Sequence, residues 1–179
     1  MKEILFKTNP QKVIEYLIKK PGKEFLSKEI QIATKMSKAG ANFALNDLVK
    51  NNLVNRQQKG NTYLYTINDE NPVIKQLKVL RTTIDLMSLI KKLKQKTSKI
   101  ILYGSASRGE DTEDSDIDLF IVTNLTEEIE KIVQRNKYSK KIQPIIRKPL
   151  QYIEMGKTDL IFYQEIERGI VLWEAKNES

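Results

Sequence analysis

Apolar positions along the first half of the chain recur at helical spacing and then switch to alternation. Val13, Ile14, Leu17 and Ile18 lie on one helix face, Pro10 suits a first helical position, and Pro21-Gly22 stops the run. Ser27 is placed to cap a second helix carrying Ile30 and Ile32. Ser37 is placed to cap a third, running to about Asn51, with Ala41, Leu45, Leu48 and Val49 on one face and Phe43 expected in the core. Leu53-Val54 opens an extended segment, Gly60-Asn61 marks a turn, and residues 62–67 alternate like a strand.

Residues 72–96 contain no turn signal. Val73, Leu77, Leu80, Ile84, Met87, Ile90 and Leu93 recur at three and four, which predicts one long amphipathic helix started by Pro72. Its opposite face is expected to hold Lys75, Lys78, Arg81, Lys91, Lys92, Lys94 and Lys96. Beyond it the pattern shortens. Residues 100–103 and 119–122 are buried-strand runs, and Glu127 and Glu128 open a helix to about Lys137. Residues 142–146 form a third strand. Residues 149–155 and 158–168 read as two short helices, and Ile170 to Trp173 as a last strand. The fold class is α+β, divided as 1–70, a linking helix 71–96, and 97–179.

Three helices followed by a hairpin resemble a winged helix-turn-helix. That resemblance makes the third helix a recognition helix and double-stranded DNA the expected partner. Lys38, Asn42, Asn46 and Lys50 would be offered by the helix, and Arg56, Lys59 and Asn61 by the wing. Asparagine pairs with adenine edges, and lysine with phosphates or guanine. The competing use of such a fold is protein contact, and a homodimer is expected from it.

Charge sharpens the division. Residues 1–70 carry 12 Lys+Arg against 7 Asp+Glu, residues 71–100 carry 8 against 1, and residues 101–179 carry 11 against 15. A basic front and an acidic back imply different partners. The chain has no cysteine and no histidine. Thiolate zinc sites, disulfides, histidine bases and histidine metal ligands are excluded, so any catalysis rests on carboxylates, hydroxyls, Lys, Arg and a bound ion. No apolar run reaches membrane-spanning length, and no secretory signal is read, so a cytoplasmic protein without membrane contact is expected.

The chemistry concentrates between Ile100 and Val122. A glycine directly after a buried strand, Gly104, lets the backbone turn and a ligand approach; Ser105 follows it. Residues 105–109 look like a first helical turn, whose free N–H groups favour a phosphate. After Ser105 and ten intervening residues comes Asp116-Ile117-Asp118. In a strand, i and i+2 share a face about 6.6 Å apart, from a rise of roughly 3.3 Å per residue. Two such carboxylates can reach one Mg²⁺, whose oxygen ligands sit at about 2.1 Å. Without a cation they repel, by about 4 kcal/mol near 4 Å at an effective dielectric of 20. Ile117 points to the other face and can pack.

Gly104-Ser105, the ten-residue gap and Asp116-x-Asp118 resemble the signature of the DNA polymerase β-like nucleotidyltransferases. The run Gly104 to Glu110 with Ser115 to Leu119 looks most like the minimal nucleotidyltransferase branch, over about residues 97–175. The resemblance implies a mixed sheet with flanking helices. It implies Asp116 and Asp118 as catalytic, metal-holding acids, with Gly104, Ser105 and Arg108 on the phosphates. It also implies Mg²⁺ (or Mn²⁺) with a nucleoside triphosphate, expected to be ATP, and a hydroxyl acceptor. Some members are antitoxins that nucleotidylate a HEPN-type toxin, so such a partner is one expectation. Arg108 has a competing use, an ion pair with the acidic loop.

One position departs from the family. A third carboxylate is usual on the strand after Asp-x-Asp, and here the equivalent residue is Gln143. Glu154, Glu165 or Glu167 could substitute from a neighbouring helix. The alternative to an enzyme is a DNA-binding regulator or antitoxin whose nucleotidyltransferase fold senses nucleotide or is inert.

Overall fold

A computed structural model describes residues 5–175. The chain falls into two compact units, Met1–Ile84 and Asp85–Ser179. Eight helices and seven strands are present among the described residues.

The first unit runs α1 (Asn9–Leu17), β1 (Phe25–Leu26), α2 (Ser27–Thr34), α3 (Lys38–Lys50), β2 (Val54–Lys59) and β3 (Thr62–Ile67). The strands form an antiparallel sheet in the order β1-β3-β2. This is the winged helix arrangement. Thr8 caps α1 in a capping box with Gln11, so that the chain enters the helix with its first amides partnered. The Ser37 hydroxyl accepts from the Gly40 N–H at 3.1 Å and starts α3. Lys59 pairs with Thr62 across the two-residue turn Gly60-Asn61, where Gly60 takes φ +60°. Val13, Leu17, Ile30, Ala44, Leu45, Leu48, Val54 and Ile67 form the core.

Three readings of this unit are corrected. Ser27 does not cap α2: Leu26 is its N-cap, and Glu29 accepts from the Leu26 N–H at 2.7 Å. Ser27 instead donates to Asn42 Oδ1 at 2.6 Å. Ile32 is 66 % exposed and Phe43 76 % exposed. Phe43 lies about 160° round α3 from Ala41 and Leu45, at 100° per residue, so it cannot join the core they build.

The helix α4 (Pro72–Leu93) is continuous, but its buried stripe is turned from the expected one. Ile74 packs in the first core, and Leu86, Leu89, Ile90 and Leu93 in that of the second unit. Val73, Leu80 and Met87 are exposed, while Lys78, expected on the solvated face, is 3 % exposed with its Nζ 3.4 Å from Asp69 Oδ1. Apolar residues on both sides of this helix let a three-four pattern start at the wrong residue. No helix among the described residues is long and apolar enough to cross a membrane.

The second unit is a four-stranded mixed sheet. β4 (Lys99–Tyr103), α5 (Gly104–Arg108), β5 (Ile117–Val122), α6 (Thr126–Gln134), β6 (Ile142–Arg147), α7 (Pro149–Thr158), α8 (Leu160–Glu167) and β7 (Ile170–Glu174) follow in order. The strand order is β6-β5-β4-β7. β4 is antiparallel to β5 and β7, and β5 is parallel to β6. Pro144 is tolerated inside β6 because that strand is an edge. The helix expected to end at Met155 runs on to Thr158, and Asp159 then caps α8 by accepting from the Phe162 N–H.

Both sheet faces are covered. Ile100, Leu102, Leu119 and Ile121 pack with Leu89, Leu93, Ile129 and Val133 on one. Ile101, Tyr103, Phe120 and Val122 pack with Met155 and Ile166 on the other. Ile117 packs against the first cluster, as its alternation requires.

Candidate functional site

The turn after β4 is built for close approach. Gly104 has φ +68°, and a Cβ there would collide with Oδ2 of Asp118 and lie 3.1 Å from its Cγ. Both the backbone conformation and the packing therefore demand glycine. The Ser107 hydroxyl donates to the Gly104 carbonyl at 2.7 Å, and Gly109, at φ +69°, closes the five-residue α5. Ser105 is half-buried at the start of that helix.

Across the ladder Tyr103 pairs with Asp118, and Asp118 pairs with Gln143. The three side chains share one sheet face. Asp116 stands just ahead of β5 rather than inside it, and is exposed. The acids nevertheless interact. Burial, then the charge of Asp116, then that of Glu165, raise the Asp118 carboxyl above its ordinary range. The Tyr103 phenol is pushed up to about 12 by burial, then by Asp118 and Glu165, with Arg147 acting in the opposite sense.

Sequence reasoning did not single out Tyr103 and Arg147. Tyr103 ends an apolar run, which predicts only a strand. Arg147 ends β6, on the face that carries Gln143 and Ile145. Among the three substitutes weighed for a third carboxylate, Glu165 is the one whose charge acts on Asp118 and Tyr103. Gln143 is exposed at the neighbouring position on β6.

The acidic loop between α5 and β5 is tied down. Thr112 N–H donates to Ser115 Oγ at 2.8 Å, and Lys141 Nζ donates to the Glu113 carbonyl at 2.5 Å. Arg108 donates to Glu110 at 2.7 Å, the loop ion pair weighed against a phosphate role.

Asp116 and Asp118 could hold a divalent cation. Burial and then the charge of Asp116 raise the Asp118 carboxyl, and a cation would relieve the second of these. Among the described residues no three His, Cys, Asp or Glu side chains form a metal cage. Two carboxylates completed by substrate phosphates is the arrangement magnesium favours over an all-protein cage.

A second cluster lies on the first unit. Lys38, Asn42, Asn46, Arg56 and Asn61 line one recess between α3 and the β2-β3 wing, with Ser27, Lys28 and Gln31. Lys50 and Lys59 are exposed but do not line it. The Arg56 guanidinium stacks on the Tyr63 ring, 4.8 Å from its centre. Asn42 is oriented by the Ser27 hydroxyl.

Residues 84–178, just over half of the chain, match the family described as Polymerase beta, Nucleotidyltransferase. No curated protein matches the chain. Among solved structures, a provisionally assigned nucleotidyltransferase from Sulfolobus solfataricus is similar at 14% identity and TM-score 0.36, over 57% of this chain and 89% of its own. TrmBL2, an archaeal chromatin protein with a novel mode of DNA binding, is similar at 15% identity and TM-score 0.33, over 91% of this chain and 74% of its own. At these scores the likenesses assign no activity.

Proposed function

This chain belongs to the polymerase β nucleotidyltransferase family, and on that premise we propose that it moves a nucleoside monophosphate from a nucleoside triphosphate, expected to be ATP, to a hydroxyl acceptor. The observation that carries this reading is the Asp118 carboxylate lying against Gly104, which joins the turn to the acid pair. Asp116 and Asp118 would hold Mg²⁺ or Mn²⁺, which would supply positive charge to the α-phosphate and the leaving pyrophosphate. Gly104 lets the Asp118 carboxylate close on the turn, and Ser105 offers the triphosphate tail a hydroxyl. Arg108 exchanges Glu110 for phosphate oxygens when the nucleotide arrives. The acceptor oxygen bonds to the α-phosphorus, the bond to the β-phosphate oxygen breaks, and pyrophosphate leaves with that electron pair.

The first unit, on this account, binds double-stranded DNA through the recess that carries Lys38, Asn42, Asn46, Arg56 and Asn61. Protein side chains, including those of a HEPN-type toxin, are the acceptor class in view.

A second reading has its own support. Gln143, beside Asp118 in the ladder, accepts no proton usefully, which favours a DNA-binding regulator or antitoxin that only senses nucleotide. Incubation with α-labelled ATP, Mg²⁺ and cell lysate separates the two, with Asp116→Asn as control. Label transfer lost in the control supports the enzyme; no transfer with any nucleotide or either metal leaves the regulator.

A further inference from the structure

Nucleotidyl transfer, the reading on which this inference rests, needs somewhere for the acceptor proton to go. The chain has no histidine and no cysteine, so a carboxylate is the natural base near neutral pH. Asp116 and Asp118 are committed to the cation, and Gln143 is an amide.

Three glutamates lie on the helices covering this sheet face, and the packing separates them. Glu167 belongs to the far end of β4. The Tyr152 hydroxyl donates to it, and Lys99 lies 3.9 Å away. Lys99 is four residues from Tyr103 along the strand, about 13 Å at 3.3 Å per residue, too far for a shared site. Glu154 lies on α7 two residues, about 160° round the helix, from Tyr152, whose ring packs on Phe120 of this sheet face. Glu165 lies on α8 between two anchors. Phe162 stands edge-on to the Tyr103 ring with centres 5.9 Å apart, and Ile166 is fully buried beside Ile101 and Tyr103. Residues 162, 165 and 166 share one side of a helix. Anchoring Phe162 and Ile166 therefore brings Glu165 to the end of β4, where Tyr103 faces Asp118. Its electrostatic reach to both Tyr103 and Asp118 agrees with that placement. It is exposed, which an incoming macromolecular hydroxyl requires.

We propose that Glu165, supplied by α8, is the base that removes the acceptor hydroxyl's proton, taking the place that Gln143 leaves vacant on β6. The proton passes to the Glu165 carboxylate as the acceptor oxygen bonds to the α-phosphorus, and pyrophosphate departs without needing that proton.

The test compares wild type, Glu165→Gln and Glu165→Ala for transfer of label from α-labelled ATP with Mg²⁺ to lysate protein in fixed excess. Glu165→Gln lowers turnover by about 10²–10⁴-fold, the usual worth of a positioned base. Its half-saturating ATP concentration stays within about twofold, because the group acts only on the proton in flight. Sodium formate restores part of the turnover of Glu165→Ala and adds nothing to wild type, a response that a merely structural role does not give. Circular dichroism and ATP binding check that both variants are folded. Active wild type matched within about twofold by Glu165→Gln overturns the base assignment alone. Absence of transfer by wild type contradicts the nucleotidyl-transfer reading and this inference with it.

Discussion

Gly104 has no room for a side chain, and what occupies that room is the Asp118 carboxylate. Gly104→Ala places a methyl group on the Asp118 carboxylate and forces a left-handed backbone on alanine. The conformation alone costs about 1–2 kcal/mol. Displacing the acid by about 1 Å costs on the order of 100-fold in transfer rate. Urea unfolding and label transfer measure the two losses separately. Asp118→Asn acts in opposite directions on stability and activity. The folded carboxyl binds its proton more tightly than the unfolded one, because burial, Asp116 and Glu165 oppose its charge. The stability tied to this group therefore grows as pH falls through its raised range and is lost as pH rises. Near neutral pH without metal, Asp118→Asn raises the unfolding free energy, while transfer disappears. A pH series of melting temperatures for wild type and variant checks the sign: the gap narrows toward acid.

At the scale of elements, α3 and the wing carry the DNA hypothesis. Phe43 stands out of α3 on the side opposite the core, where an aromatic can contact a thymine methyl. Asn46→Ala costs about 1–3 kcal/mol at its preferred base pair, and Lys38→Ala weakens binding across all sequences with a shallower salt dependence. Shift assays over a salt series measure both. A loss for Asn46→Ala that is uniform across sequences contradicts base reading.

Elements differed in how legible they were. The Ser37 cap, the Gly60-Asn61 turn and the alternation of β3 were readable because each follows from local chemistry. The Gly104 turn after β4 and the opening of β5 at Ile117 were readable by spacing. Their contact was not, because it depends on the register that sets Tyr103 opposite Asp118. The α4 stripe was misread because Val73, Leu80 and Met87 mimic a buried face. What decides burial there is the tertiary partner of Ile74, Leu86, Leu89 and Leu93. Choosing Glu165 among three glutamates required the seat of Phe162 on Tyr103, which no periodicity encodes.

For the molecule as a whole, the two units have separate cores, a basic first part and an acidic last part. On the proposed reading, nucleotide and metal act on the second. Mg²⁺ with a non-hydrolysable ATP analogue at about 100 times its dissociation constant stabilises the folded chain by about 2.7 kcal/mol, and Asp116→Asn removes the effect. Differential scanning with and without the pair measures it. The central claim is that Asp116 and Asp118 hold one divalent ion together with a triphosphate seated at Gly104. Mn²⁺ binding followed by electron paramagnetic resonance, with the ATP analogue present, tests it most directly. The account predicts one nucleotide-tightened Mn²⁺ per chain, lost in both Asp116→Asn and Asp118→Asn; Mn²⁺ binding that either variant leaves unchanged contradicts it.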